Sequence, residues 1–438
     1  MRILLTANAS YVPPRGGATR SNLVWLDGLA KAGHACQIVA SELANDPTGK
    51  LEQIRNEEIR ILASHIDSSD GIEVVRRGPI HVYSAADPSR RSRLLRDQIR
   101  GFDPDWVLVS SEDLGQVLLR QAVYEAPGRV VYLAHTPQLF PFGPASWNPD
   151  PQGTELVRQC AAVIAIGKHT AEYIRQHSGC EATVIHPPIY GSGPFDRYGS
   201  FGEGLITMIN PCAVKGIDIF LALAQRFPNY WFGALPGWGT TTQDRKNLES
   251  LPNVTLLANV KHIEQVFRRT RILLMPSLWY EGFGLSVMEA MLRGVPVLAS
   301  DSGGLLEAKM GTRFVLPVRP IERYQKVFDE HSLPKAVVAQ QEIEPWVDAL
   351  RLLLTDRSIY ENESGASREK ALAFVNSIRS TQMEDFLRNL TPKPAARPKV
   401  AAAAAPHDSL HNLSPEKRAL LLQRLRQKAT SVRGNSHG

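Results

Sequence analysis

The chain has 438 residues, 43% of them hydrophobic and 21% charged, with a formal net charge of +6. That length holds two or three domains, and the balance is that of an ordinary globular protein rather than a disordered or collagenous one. The charge does not point to nucleic acid: from Thr391 onward nine Lys and Arg stand against two acids, so the surplus belongs to the tail and the body is near neutral.

The chain opens on a strand pattern. Met1 and Arg2 lead directly into ILLTAN, which reads as a first buried strand and not as a cleavable leader. Short β-branched or apolar runs then recur at 35–41, 105–111, 129–135, 161–167 and 181–187. Between them lie helix-period segments such as 21–33, apolar at Leu23, Leu26 and Ala30 and closed by Gly33. Strands alternating with helices predict parallel βα units. The rhythm pauses at HPPIYGSGPFDRYGSFGEG, a Pro- and Gly-rich linker. It restarts with strands at 205–211, 230–237, 253–259, 271–277 and 295–300, and helices at 217–227, 263–270 and Leu285–Arg293.

This predicts an α/β chain with two Rossmann-like, doubly wound parallel-sheet domains facing a cleft. Their expected bounds are 1–188 and 205–390, with 189–204 between them. Residues 366–390 read as helical, either closing the second domain or crossing back to the first. Residues 391–408 form a Pro/Ala-rich linker, and 409–438 a tail with a short amphipathic helix from Ser414 and Pro415, striped by Leu421, Leu422 and Leu425. No run reaches the roughly 20 apolar residues of a spanning helix. The four cysteines, Cys36, Cys160, Cys180 and Cys212, have neither metal-ligand nor disulfide-framework spacing. A cytoplasmic location is expected, with a peripheral membrane position as the alternative.

The stretch SLWYEGFGLSVMEAMLRGVPVLASDSGG, 277–304, sets Glu281 and Glu289 around Gly282-Phe283-Gly284. It places this turn between a strand and a helix at the cleft mouth, where glycine lets backbone approach a ligand and a helix N-terminus favours negative charge. Two carboxylates there can bracket a guest carrying hydroxyls. Spacing alone fits equally well a Glu289 that pairs locally and a solvated Glu281. Lys215, in the loop after the second domain's first strand, reads either as a surface lysine or as a cation for a leaving diphosphate. Gly16-Gly17 marks a turn before a helix, and His135 ends a strand at the cleft rim.

With its context, MPS…EGFG…EAM…G.PV.AS…GG, the stretch resembles the E-x7-E motif of retaining GT-B glycosyltransferases of family 4, and the two-domain pattern extends the resemblance over about 1–390. It implies a nucleotide-sugar donor and no metal or other cofactor. Glu281 is then expected at the donor sugar and Glu289 at the ribose. Gly282, Phe283, Gly284 and Leu285 offer amides to hydroxyls and phosphate. Lys215 faces the diphosphate, Gly16 and Gly17 lie across the cleft, and His135 lies by the donor sugar or acceptor. Val260, with Gly237 and Trp238, is expected near the base; Lys168 and His169 are weaker candidates. One departure stands out: Asn210 occupies the position where that family usually carries Arg. Asp103-Pro104-Asp105 imitates a metal-binding Asp-x-Asp but precedes a strand, so it reads as a turn.

The expected function is retaining transfer of a sugar to an acceptor hydroxyl. The acceptor is a small molecule, peptide or lipid. The tail, LSPEKRALLLQRLRQKA, resembles a short helical segment of non-ribosomal peptide synthetases, which implies docking to a modular synthetase and a natural-product acceptor. Two rivals stand beside it. One is a peripheral membrane enzyme acting on a lipid or polysaccharide precursor, held by the basic run 89–100 and the tail. The other is a GT-B-shaped binding protein without transfer, suggested by Asn210.

Overall fold

The computed structural model describes residues 1–14, 16–42, 71–260 and 262–394, and the backbone of 63–69. The tail linker from 395 and the tail helix therefore lie outside the described residues.

Two open sheets organise residues 1–394, which form one compact unit. The first contains β1 (Arg2–Thr6), β2 (Ala35–Ala40), β3 (Ala63–Ser69), β4 (Ile72–Arg77), β5 (Ile80–Ser84), β6 (Trp106–Ser110), β7 (Val130–Ala134), β8 (Ala162–Ala165) and β9 (Thr183–Val184), ordered β3-β4-β5-β2-β1-β6-β7-β8-β9. The central pairs are parallel, with Ile3 opposite both Cys36 and Trp106. β6 and β7 are buried along their whole length, because helices cover both faces of a parallel sheet and each strand must be apolar on both sides. The antiparallel β3, β4 and β5 were not predicted.

The second sheet holds β10 (Leu205–Ile209), β11 (Phe232–Leu235), β12 (Val254–Leu256), β13 (Thr270–Met275), β14 (Val297–Ser300) and β15 (Val315–Leu316), ordered β12-β11-β10-β13-β14-β15 and parallel throughout. Strand order reverses between β1 and β6 in one sheet and between β10 and β13 in the other. Ligand crevices of doubly wound folds open beyond the carboxyl ends at such points.

Two features depart from the expected outline, and a third takes one of the two courses expected for 366–390. The first helix begins at Gly16, with φ +85°, and runs to Lys31, so the Gly-Gly pair is its first turn and not a loop before it. A two-stranded antiparallel hairpin, β16 (Ile321–Phe328) and β17 (Pro334–Val338), is inserted after β15. Beyond the long helix Arg357–Ser377, the last described helix, Gln382–Asn389, packs on the first domain. There Leu387 O accepts the Trp106 indole N–H at 3.1 Å, and Glu384 meets His34 at 3.0 Å.

Candidate active site

The loop from Pro276 to Gly284 joins β13 to the helix Leu285–Leu292. It is held by its neighbours as well as by its own side chains. Val214 O accepts the N–H groups of Leu278 and Trp279, at 3.1 and 2.9 Å. Ser300 Oγ donates to Ser277 O at 2.6 Å, and Ser302 Oγ to Trp279 O at 2.7 Å. Gly304 N–H reaches Glu281 O at 2.8 Å. Gly282 lies so close to the first domain that a Cβ there would collide with the His135 carbonyl, while its own carbonyl accepts from Thr170 Oγ1 at 2.9 Å. Gly284 turns the chain at φ +109°, a region in which a side chain is strained. The turn is thus clamped between both domains. The N–H groups of Gly282, Phe283, Gly284 and Leu285 have no acceptor among the described residues, as is usual for the groups that open a helix.

Glu281 is 9% exposed. Its Oε1 accepts from Lys215 Nζ and, at 2.7 Å, from Ser277 Oγ. The two residues expected to serve opposite ends of a sugar phosphate therefore form an ion pair here. Lys215 also lies 5.1 Å from the centre of the Trp279 ring and 5.8 Å from that of Trp238, so indole faces complete the cation's surroundings. It is the last residue of a one-turn 3-10 helix, and Gly216 follows at φ +80° with no room for a Cβ beside Pro276 O.

Glu289, one turn further along, is buried, and burial raises its pKa although Arg20 and Arg293 lower it. Its Oε1 lies 3.4 Å from Arg20 of the first helix. Sequence reasoning missed Arg20, because nothing local links positions 269 residues apart. Gly17, in the same helix, faces Leu285 so closely that a Cβ would press on its side chain. Gly16 begins that helix with open space about it.

His135 is buried, and desolvation pulls its pKa down to about 3. Its Nε2 lies 2.7 Å from Asn22 Oδ1, while Asn22 Nδ2 donates to Tyr11 and Ser110. With the amide so oriented, Nε2 carries the proton and Nδ1 is a bare acceptor, which has no hydrogen-bond partner among the described residues. A neutral imidazole of this kind can accept from a hydroxyl but does not supply an acid near neutral pH.

Asn210 does not stand in for a cation. It takes φ +57°, a conformation that Asn tolerates better than most side chains. Its Oδ1 accepts from Gly239 N–H at 2.9 Å and lies 3.4 Å from Thr240 Oγ1. Asn210 thereby shapes the loop that carries Trp238. Gly237 packs directly on the Asn210 side chain. Val260 is partly buried against Leu235, Leu257 and Val266. Lys168 N–H donates to Glu307 at 2.6 Å, and His169 O accepts from Tyr280 at 3.2 Å. Both therefore help to join the domains through their main chains.

Asp103 and Asp105 hold the turn before β6. Asp103 meets Arg2 and Arg129 at 2.7 and 3.0 Å, and Asp105 accepts the Arg2 N–H at 2.6 Å. Among the described residues no cluster of three His, Cys, Asp or Glu could hold a metal ion, and no helix is long and apolar enough to cross a membrane. Within the basic run 89–100, Arg91 is turned inward to Asn8 and Ala85 O, and Arg100 pairs with Glu125.

The comparisons with known proteins agree with this geometry. Residues 15–190 match the family model Glycosyltransferase Family 4, and 206–356 match Glycosyl transferases group 1. The chain carries both of these glycosyltransferase domains, arranged as a GT-B fold. Among solved structures, the sucrose-phosphate synthase from Thermosynechococcus elongatus is 16% identical, with a TM-score of 0.65 over 89% of this chain and 98% of that one. HepE of Anabaena, solved with UDP and glucose, is 15% identical, with a TM-score of 0.57 over 89% and 100%. A curated relative, the lipopolysaccharide core biosynthesis mannosyltransferase LpcC of Rhizobium leguminosarum bv. viciae, is 27% identical over 171 residues. That match covers 35% of this chain and 48% of the relative, about half its length.

Proposed function

We propose that this protein transfers a sugar from a nucleotide-diphospho-sugar to an acceptor hydroxyl with retention at the anomeric carbon. The observation that carries this reading is the clamped 276–284 turn. It carries four N–H groups without an acceptor among the described residues, directly after Glu281, which pairs with Lys215, and Glu289 is buried one turn into the helix that follows. The turn amides and Lys215 would hold the diphosphate, Glu281 the sugar and Glu289 the ribose. As the bond from C1 to the diphosphate oxygen breaks, the acceptor oxygen bonds C1 on the same face and its proton passes to the departing phosphate oxygen. Lys215 and the amides stabilise charge as it develops, which is where such groups act most strongly. No metal enters this scheme. HepE's complex with UDP and glucose and the sugar-transferring relative support the donor class.

For the acceptor, the lipopolysaccharide relative supports a lipid-linked or polysaccharide precursor over the natural product suggested by the tail. A nucleotide and nucleotide-sugar thermal-shift panel identifies the donor. Glu281→Ala, assayed on the donor so found, is expected to abolish transfer while leaving the unfolding transition cooperative; full transfer in that variant would overturn the assignment.

A further inference from the structure

Arg20 is the one cation at the turn that the donor reading does not use. It stands one turn into the first helix, Gly16–Lys31. Gly17, three residues earlier and so on the same helical face, lies against Leu285, which opens the helix Leu285–Leu292. From there the Arg20 guanidinium crosses to the second domain and meets Glu289 at 3.4 Å.

That contact is loose. A charge-assisted N–H···O bond closes to about 2.7–2.9 Å, as Arg77 and Asp27 do at 2.7 Å elsewhere in the first domain. The partners are also unequal, since the Glu289 side chain is 11% exposed and that of Arg20 46%. Burial raises the Glu289 pKa, and the pull of Arg20 and Arg293 does not cancel it. Arg293 is committed elsewhere, donating to Glu289 O at 2.7 Å and to Glu264. Arg20 has no second hydrogen-bond or ion-pair partner among the described residues. Tyr190, from the segment between the domains, completes the corner. Its hydroxyl is buried with no hydrogen-bond partner among the described residues. Burial raises its pKa, Glu289 raises it further and Arg20 lowers it, so it lies near both charges.

The corner thus holds a half-exposed guanidinium, a carboxylate that it neutralises incompletely, and an uncommitted hydroxyl. A guest that satisfies them brings hydroxyls for Glu289 and an anion for Arg20. A nucleoside 5′-diphosphate has both close together, because one methylene and one oxygen separate its ribose ring from the first phosphorus. A guanidinium also matches two phosphate oxygens at once, which an ammonium does not. The second domain leaves that charge open: Asn210 supplies no cation, and Lys215 is already paired with Glu281.

We propose that Arg20 is a donor-binding residue of the first domain. When ribose hydroxyls take Glu289, the guanidinium passes from that carboxylate to the neighbouring phosphate and ties the first domain to the nucleotide. This rests on the donor reading given above and adds a residue to that same site. The plainer role, in which Arg20 serves only as counter-ion to Glu289, predicts a different coupling between the two residues.

The test uses the full chain. Isothermal titration with UDP, GDP, ADP, CDP and dTDP finds the nucleotide that the wild type binds most tightly. Arg20→Met should raise its Kd about tenfold or more, the worth of one charge-assisted contact, and Arg20→Lys should recover part of that loss. The loss should persist when Glu289 is already Gln, because the phosphate is still there to be held. Unchanged affinity in Arg20→Met would overturn the proposal. So would a loss that disappears in the Glu289→Gln background, which would make Arg20 a counter-ion alone. In both cases the wild type still binds the nucleotide and the donor reading stands. A wild type that binds none of the five would sink the donor reading, and the proposal with it.

Discussion

Lys215 and Glu281 hold each other before any donor arrives, and that arrangement has a measurable consequence. Their side chains are 11% and 12% exposed. Removing one partner of such a pair leaves the other charged and poorly hydrated, at a cost of about 3–5 kcal/mol when burial is deep. Lys215→Met leaves Glu281 with the Ser277 hydroxyl at 2.7 Å, so it should fall in that range. Glu281→Gln leaves Lys215 against two indole rings, at 5.1 and 5.8 Å. Desolvated cation–π contacts are worth roughly 2 kcal/mol, so this variant should lose less, about 1–3 kcal/mol. In the double variant neither charge is stranded, and its loss should fall short of the sum by about 2 kcal/mol. Urea denaturation of the four proteins reads the coupling. Isothermal titration with the nucleoside diphosphate found by thermal shift reads the function. A charge-assisted contact to phosphate is worth about 1.5–3 kcal/mol, so Lys215→Met should bind roughly 10- to 100-fold more weakly. Glu281→Gln frees the lysine and should bind at least as well as the wild type, yet fail to transfer. Additive stabilities, or equal losses of nucleotide affinity in both single variants, would refute the reasoning.

Two further outcomes test the folding physics around the site. Lys309 is fully buried, donating to Val297 O at 2.8 Å and to Glu363 at 3.0 Å, and Glu363 is itself buried. Lys309→Met should therefore cost about 3–5 kcal/mol in urea denaturation, and Lys309→Met with Glu363→Leu should recover most of it. For His135, burial pulls the pKa down to about 3 from an ordinary value of 6.5. As pH falls, the unfolded chain takes up this proton first, so the stabilisation is complete above 6.5 and is lost progressively down to about 3. Between pH 7 and pH 4.5 the wild type should lose about 2–3 kcal/mol more than His135→Gln. The neighbouring acids Glu112 and Asp113, raised by burial to about 7 and about 6, are common to both proteins and cancel to first order. Equal losses would show that His135 is hydrated or paired in solution.

Much of this architecture was legible because parallel strands buried on both faces leave a simple trace. WVLVS and VVYLA have no polar face to place in water, and the sequence shows them as apolar runs. The hairpin β16–β17 left no such trace. IERYQKVF is half-buried or exposed throughout, so neither alternation nor a long apolar run marks it. The same holds for the site. Glu281, Glu289 and Lys215 could be singled out because each lies in a local pattern of glycines and strand ends. Arg20 could not, because its contact with Glu289 arises only when the two domains meet. Sequence spacing carries no signal for contacts of that range.

Asn210 carries two readings, one from its place in the sequence pattern and one from its contacts. Judged against the residue usual in that family, it is a missing positive charge at a diphosphate. Judged by its contacts, it is a hinge of the Trp238 loop. A positive φ suits a short amide side chain, and its Oδ1 reaches the Gly239 N–H. An arginine offers no acceptor for that N–H, so the same position cannot easily supply a guanidinium to the phosphates and a carbonyl to this loop. On the donor reading proposed above, the second domain's share of the charge balance at the diphosphate would then fall on Lys215. On that reading the most sensitive contact of the site is the Lys215–Glu281 pair.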